Sequence, residues 1–497
     1  MRFPRSCGTL VHPTAFPGKY GIGDFGSEAR IFLDYLEDTG QSIWQVLPLN
    51  PPGYGNSPYT SYSAFAGNHY LIAPDILVKK GLLSKKEAKE AKLPSGVKVD
   101  YEKAYANKDR LFKLASKRFY ESKTDHQEKK LASFKQENES WLGDYALFMA
   151  SSLDRGMKPW NSWEASLAKR DSGALDEVKE KYNLEIQHQY WLQFEFFTQW
   201  NSLREYAHDR GIRVIGDIPI YVDHNSADVW ANSQFFEVDE EGNRKLVAGV
   251  PPDYFSETGQ LWGNPLYKWK VLAKDNFSWW VKRFQHMFSM YDAVRVDHFR
   301  GFDEYWEVEA FQETAEKGRW VVAPGEKLFD AVREQCGELP IIAEDLGTAS
   351  PGAEKLREKY NFPGMKVIQF AFDSDSTNSF LPHNYPQKNC VVYSGTHDNN
   401  TSIGWYNSAS EEERHKSRVY TESDGEEMNW EFIRLGMCSL ADQAIFPLQD
   451  FMDLDESHRM NIPGTPNDNW GWRYTSDMLN DINRERIKNL IANSSRK

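Results

Sequence analysis

Apolar residues in this chain gather in short runs that end on polar or small residues. Longer stretches of helical periodicity alternate with them. The first two runs are Thr9-Leu10-Val11-His12 and Ser42-Ile43-Trp44-Gln45-Val46-Leu47-Pro48-Leu49. Between them, residues 28–37 place Ile31, Phe32, Leu33, Tyr35 and Leu36 at helical spacing, and Gly40 marks the stop. Six further runs follow: Arg213-Val214-Ile215-Gly216-Asp217, Ala293-Val294-Arg295-Val296-Asp297, Ile341-Ile342-Ala343-Glu344-Asp345, Lys366-Val367-Ile368-Gln369-Phe370, Val391-Val392-Tyr393 and Ala444-Ile445-Phe446-Pro447-Leu448. Helical segments separate them, such as residues 204–209 stopped by Gly211, and the helix opened by Ser350-Pro351 and closed near Asn361. Eight alternating strand–helix units predict an α/β chain folded as a (β/α)8 TIM barrel. An open doubly wound sheet is the runner-up, but no GxGxxG opens the first strand–helix unit.

Two gaps exceed ordinary loops. About residues 53–210 separate the second and third strands, and about 223–290 separate the third and fourth. Both are read as inserted subdomains that leave from carboxyl ends of strands and wall a cleft, with residues 1–497 forming one barrel unit. The first insert is helical and charged. Its Lys79, Lys80, Lys85, Lys86, Lys89 and Lys92, interleaved with Glu87 and Glu90, read as a solvated helix face.

Composition narrows the partners. A net charge of −14 argues against nucleic acid and against an anionic membrane surface, both of which call for clustered Lys and Arg. The 17 tryptophans, 24 tyrosines and 29 phenylalanines must mostly be core. Yet Tyr54, Tyr59, Tyr254, Trp262, Trp470 and Trp472 sit among Gly, Pro, Asn and Asp, a setting that suits a ligand with flat apolar faces and a hydroxyl rim, as in a sugar. Cys7, Cys336, Cys390 and Cys438 form no CxxC pair, which points to a reducing compartment without disulfide framework or zinc site. Three of them, Cys7, Cys336 and Cys390, fall in or near apolar strand-like contexts. Residues 1–10 hold no signal-like apolar run, and no stretch approaches a membrane span. The expected location is the cytoplasm, or a plastid if a transit peptide has been removed.

Asp217, Asp297, Glu344 and Asp398 end predicted strands, where barrel enzymes place their reacting groups. One such aspartate is ordinarily a helix cap. Four in one barrel, with an arginine beside one of them, are hard to explain as caps. Strand alternation points Arg295 and Asp297 to one face and Val294 and Val296 to the other. An adjacent guanidinium favours a charged carboxylate, the form a nucleophile needs. Cleavage of a glycosidic bond with retention needs that carboxylate and, about 5 Å away, a second carboxyl that first donates and then removes a proton. Glu344 follows apolar Ile341-Ile342-Ala343, where desolvation raises a carboxyl's pKa. Asp345 points to the opposite face and reads as structural. Asp398, with His397 beside it, and Asp217 are placed to bind sugar hydroxyls.

The ordered set Gly216-Asp217-Ile218-Pro219-Ile220-Tyr221-Val222, Arg295-Val296-Asp297-His298-Phe299-Arg300-Gly301, Ala343-Glu344-Asp345-Leu346-Gly347 and Thr396-His397-Asp398-Asn399 resembles the 4-α-glucanotransferases (amylomaltases, disproportionating enzymes) of glycoside hydrolase family 77. The likeness runs from Gly8-Thr9-Leu10 through Asn56-Ser57-Pro58-Tyr59 and Gly259-Gln260-Leu261-Trp262-Gly263-Asn264-Pro265 to Gly464-Thr465-Pro466-Asn467, essentially the whole chain.

The resemblance implies a barrel with inserts and without the C-terminal β-domain of α-amylases. It implies Asp297 as nucleophile, Glu344 as acid/base and Asp398 as transition-state stabiliser. Arg295, His397 and Asp217 are then expected at the cleavage subsite. Ser57, Tyr59, Gln260, Trp262, Asp373 and Asn467 are expected against neighbouring glucose units, beneath a loop over residues 249–264. α-Amylases carry an Asn-His pair shortly after their third-strand aspartate. Here Ile218-Pro219-Ile220-Tyr221-Val222 follows Asp217, which favours an amylomaltase and no amylase-type calcium. No metal and no cofactor are expected.

The implied activity is retaining transfer of α-1,4-glucan segments to the 4-hydroxyl of an acceptor glucan or glucose, with cyclisation a possible outcome. Its substrates are maltooligosaccharides, amylose or starch, and glycogen-type glucans, and the expected assembly is a monomer or weak homodimer. Tyr254 and Phe255 join Tyr59 and Trp262 in shielding the acceptor side from water, and Tyr54 and Tyr101 are outer contacts. The alternatives are an α-1,4-glucan hydrolase of the amylase type using the same residues, and a glucan-binding protein on an inactive barrel. The second is opposed by the presence of all three carboxylates.

Overall fold

A computed structural model of the chain describes residues 3–252, 256–347 and 350–496. Eight parallel strands form the centre: β1 (Ser6–Leu10), β2 (Ile43–Gln45), β3 (Arg213–Ile218), β6 (Ala293–Val296), β9 (Ile341–Ala343), β10 (Gly364–Val367), β11 (Cys390–Tyr393) and β12 (Gln443–Pro447). β12 pairs with β1, and the ring continues through β2, β3, β6 and β9 on one side and β11 and β10 on the other. The Ala343 N–H donates to the Pro363 carbonyl at 2.9 Å and joins β9 to the start of β10. The strands are buried over nearly their whole length, as expected where helices cover the outside of a parallel sheet. All eight predicted runs are strands of this (β/α)8 barrel.

Boundaries differ where the chain turns. The sixth run forms a strand only to Val367, because Ile368–Phe370 coils into a 3-10 turn. The first begins earlier, at Ser6, and ends before Val11. The first predicted helix is Ser27–Thr39, with Ala29, Phe32, Leu33 and Leu36 buried and Gly40 in the left-handed region at φ 80°. Close approach of β1 and β2 requires Gly8, since a Cβ there would lie 2.1 Å from the Ile43 carbonyl oxygen. Trp44, Trp191, Trp200, Trp230, Trp280 and Trp430 are fully buried, so most of the aromatic mass is core. Cys336 ends the helix Gly325–Cys336 instead of lying by a strand.

Residues 53–210 hold a series of helices that ends in Asn183–His208, which leads directly into β3. The lysine-rich stretch divides between Pro74–Lys79 and Lys85–Glu90 instead of forming one face, and Lys80 pairs with the buried Glu195 at 2.7 Å. A second, antiparallel sheet has the order β5 (Gln260–Pro265), β4 (Leu246–Val250), β7 (Glu304–Glu309), β8 (Gly318–Val322). Half of it comes from the connection after β3. The other half comes from the connection after β6, an excursion the sequence did not reveal.

Candidate active site

Register builds the centre of the site. On neighbouring parallel strands Asp217 of β3 stands opposite Arg295 of β6. Arg295 and Asp297 are two residues apart, so they share a face. The Arg295 guanidinium therefore meets both acids: one Nη donates to the Asp217 carboxylate oxygens at 3.0 and 2.8 Å, and the other lies 2.8 Å from Asp297 Oδ1. Asp217 is closed off, and the Tyr59 hydroxyl donates to its Oδ2 at 2.7 Å. Burial pushes the Asp217 carboxyl above its ordinary value, with Arg295 opposing the rise. Asp297 keeps 30% of its side chain open, so it is the acid that faces the cleft.

Glu344 leaves the end of β9 beside this pair. Its carboxylate accepts the His298 N–H at 2.7 Å and the Leu346 N–H at 2.9 Å. The first of these bonds depends on His298 adopting the left-handed region, φ 49° and ψ 51°, directly after Asp297. Burial pushes the Glu344 carboxyl up to about 7. The Asp297 charge adds to the rise, while Arg295 and the two backbone donors oppose it. Asp345 points away, accepting the Met365 N–H at 2.8 Å and pairing with Arg357, in keeping with its structural reading.

Asp398 sits after β11, with 44% of its side chain open. His397 Nε2 lies 3.3 Å from its Oδ2, the Asn461 amide donates to its Oδ1 at 2.7 Å, and Arg459 donates to its main-chain oxygen at 2.9 Å. Burial raises this carboxyl, but His397, Asn461 and Arg295 outweigh it and hold Asp398 below the usual carboxylate range.

Aromatic rings frame the acids. The Tyr59 ring stacks on His397 with centroids 5.1 Å apart, and Trp470 packs against both at 5.8 and 6.0 Å. Ser57 Oγ accepts the Tyr59 N–H and shapes the turn that presents the tyrosine. Trp262 meets His298 edge-on at 4.8 Å and donates to Gln260 Oε1 at 3.2 Å, so β5 carries a half-open indole to the cleft.

Other predicted contacts stand outside this cluster. Asp373 is exposed and accepts from Asn378 at 2.8 Å. Asn467 is exposed on the same 461–470 loop that brings Asn461 and Trp470 inward. Tyr54 is 86% exposed, while the Tyr101 hydroxyl is committed to the Trp470 carbonyl at 2.7 Å. Tyr254 and Phe255 lie outside the described residues. Sequence reasoning missed Asn461 and Arg459, which sit in an aperiodic polar loop, and the role of the His298 backbone. Among the described residues no group of His, Cys, Asp and Glu is arranged to hold a metal ion, and no helix is long and apolar enough to cross a membrane.

Fold and site define a (β/α)8 barrel with a guanidinium-paired carboxylate beside a carboxyl whose proton is held near neutrality, the pairing that retaining glycoside chemistry uses. The glycoside hydrolase family 77 model, described as 4-alpha-glucanotransferase, matches residues 11–479. The chain belongs to that family. It is 46% identical to the 4-alpha-glucanotransferase of Thermus thermophilus over the full length of both, and 47% identical to that of Synechocystis sp. over 96% of this chain and 95% of that one. The solved amylomaltase of Streptococcus agalactiae in complex with acarbose superposes with a TM-score of 0.96 at 37% identity, covering 99% of each chain. The activity is that of a 4-α-glucanotransferase, and the amylase-type alternative is set aside.

Proposed function

We propose that Asp297 is the nucleophile, Glu344 the acid/base and Asp398 the stabiliser of the transition state in disproportionation of α-1,4-glucans. The observation that carries this is the division of labour between Asp297 and Glu344. One is an open carboxylate on Arg295, and the other is a carboxyl held protonated towards neutral pH. Asp297 attacks the anomeric carbon of a donor glucan. The bond to the departing 4-oxygen breaks, and Glu344 gives that oxygen its proton. An acceptor glucan or glucose then enters. Its 4-hydroxyl loses a proton to Glu344 and attacks the anomeric carbon, and Asp297 leaves.

Asp398, held charged by His397 and Asn461, is placed to bind ring hydroxyls as positive charge grows on the sugar. Arg295 and Asp217 fix the position of Asp297 and do not react. Tyr59, Trp470 and Trp262 offer flat apolar surfaces to glucose rings. By excluding water they favour a sugar acceptor over hydrolysis. Ser57, Gln260, Asp373 and Asn467 are assigned to contacts with neighbouring glucose units. The substrates on this reading are maltooligosaccharides and starch- or glycogen-type glucans, acted on by a monomer or weak homodimer in the cytoplasm, or in a plastid.

Incubation with maltotriose tests the assignment. The wild type is expected to yield glucose and a ladder of longer maltooligosaccharides. Glu344→Gln is expected to lose about 10²- to 10⁴-fold in kcat. Full activity in that variant would remove Glu344 from the chemistry.

A further inference from the structure

Beside the His397–Asp398 turn lies a small, partly open cavity of about 20 Å³. It is lined by Leu10, Val11, His12, Leu47, the 396–401 turn without Asp398, and residues from the far end of the chain, among them Arg459 and Trp472. Three of its lining residues carry a buried polar atom with no partner: His12 Nδ1, Asn400 Oδ1 and Trp472 Nε1. His12 and Trp472 are only 5% and 4% exposed.

An orphaned buried polar group is costly, and three residues that carry one line this single cavity. Their chemistry is complementary. The Trp472 N–H can only donate. The neutral His12 ring offers an acceptor at Nδ1 when its proton sits on Nε2, and Nδ1 has no partner within the protein. Burial pushes the imidazole down to about 3, with His397 adding to the drop, so the ring stays neutral. Asn400 Oδ1 is a second acceptor, and with the amide turned round it becomes a second donor. One water molecule, with two protons to give and two lone pairs, satisfies either set. The volume exceeds the ~10–15 Å³ that a single water needs.

We propose that this cavity is a binding site for one ordered water, and that His12 is a positioning residue which, through that water, holds the turn bearing His397 and Asp398. Thr396 and Asn399 brace the turn from within, the Asn399 Oδ1 accepting from the Thr396 N–H and Oγ1. The Gln369 amide anchors its end on the Asn400 carbonyl at 2.8 Å. Beside the ties that Arg459 and Asn461 make to Asp398, the water supplies one to the segment after β1 and to the Trp472 segment. Its effect on turnover rests on the role proposed above for Asp398, whereas its presence does not.

Two measurements decide the matter. In a crystal structure of the wild type fine enough to show ordered solvent, a water is expected within hydrogen-bond distance of His12 Nδ1, Trp472 Nε1 and Asn400. An empty cavity, or direct bonds among the three, overturns the site. In kinetics on maltotriose, His12→Leu, which removes the acceptor, is expected to lower kcat about tenfold with KM changed less than about twofold. His12→Asn, whose amide oxygen takes the place of Nδ1, restores most of the loss. An unchanged kcat in His12→Leu, or equal loss in both variants, overturns the positioning role. If His12→Leu does not fold, Trp472→Phe, which removes the donor, replaces it under the same criteria. Asp398→Asn is measured alongside. Full activity in that variant would refute the Asp398 reading and with it the positioning role, while the solvent density still decides the water.

Discussion

Arg295 touches two carboxylates at once, and the consequence is that Asp297 and Asp217 do different work on one guanidinium. Asp217 is sealed under Tyr59, whereas Asp297 is open to the cleft. Glu344, pushed up to about 7 by burial, completes the set. On the proposed mechanism its proton is needed for departure of the leaving group, so activity should fall as pH rises through about 7. The alkaline limb of kcat/KM for maltotriose, measured across pH, is expected to have its midpoint there. Folding follows the same sign. A carboxyl with a raised folded value holds its proton more firmly folded than unfolded, so its contribution to stability declines from the ordinary value of 4.5 up to about 7. An alkaline limb well above pH 8 would contradict this. At this scale much was legible. The spacing of Arg295 and Asp297 gave their shared face, and the apolar run before Glu344 gave the direction of its shift. Pairing of Arg295 with Asp217 depends on register between strands that are 75 or more residues apart in the chain. No single-strand pattern contains that information.

Elements place these residues through close strand packing. Gly8 lets β1 lie against β2, and Gly216, just before Asp217, leaves room for the Tyr291 ring, 2.3 Å from where a Cβ would stand. Gly8→Ala forces a carbon into the Ile43 backbone, and overpacking of this kind costs about 1–3 kcal/mol. The variant is expected to melt below the wild type in thermal unfolding, and an unchanged Tm would refute the packing argument. The eight barrel strands could be read from the sequence because strands buried on both faces appear as continuous apolar runs. The hairpin of β7 and β8 could not. β7 places Glu304, Glu307 and Glu309 among its apolar positions, and β8 is largely exposed, so neither shows a buried-strand pattern. Its pairing with β4 makes β5, with Gln260 and Trp262, part of a sheet instead of a free loop.

Across the whole molecule, segments distant in sequence close the barrel and the cleft together. The buried Arg496 donates to the carbonyls of Ser6, Asp442, Gly436 and Ala441, tying the last helix to β1 and to the residues before β12. At the other end of the barrel, the 461–470 loop reaches Asp398 through Asn461 and Tyr59 through Trp470. The cleft is thus walled by parts of the chain that only the finished fold assembles. The proposed mechanism requires a covalent sugar carried by Asp297. The direct measurement is mass spectrometry of Glu344→Gln after reaction with α-maltotriosyl fluoride, whose leaving group needs no acid. A maltotriosyl mass on the peptide containing Asp297 is predicted. The same mass on another carboxylate, or fluoride release with no covalent species, would contradict the account.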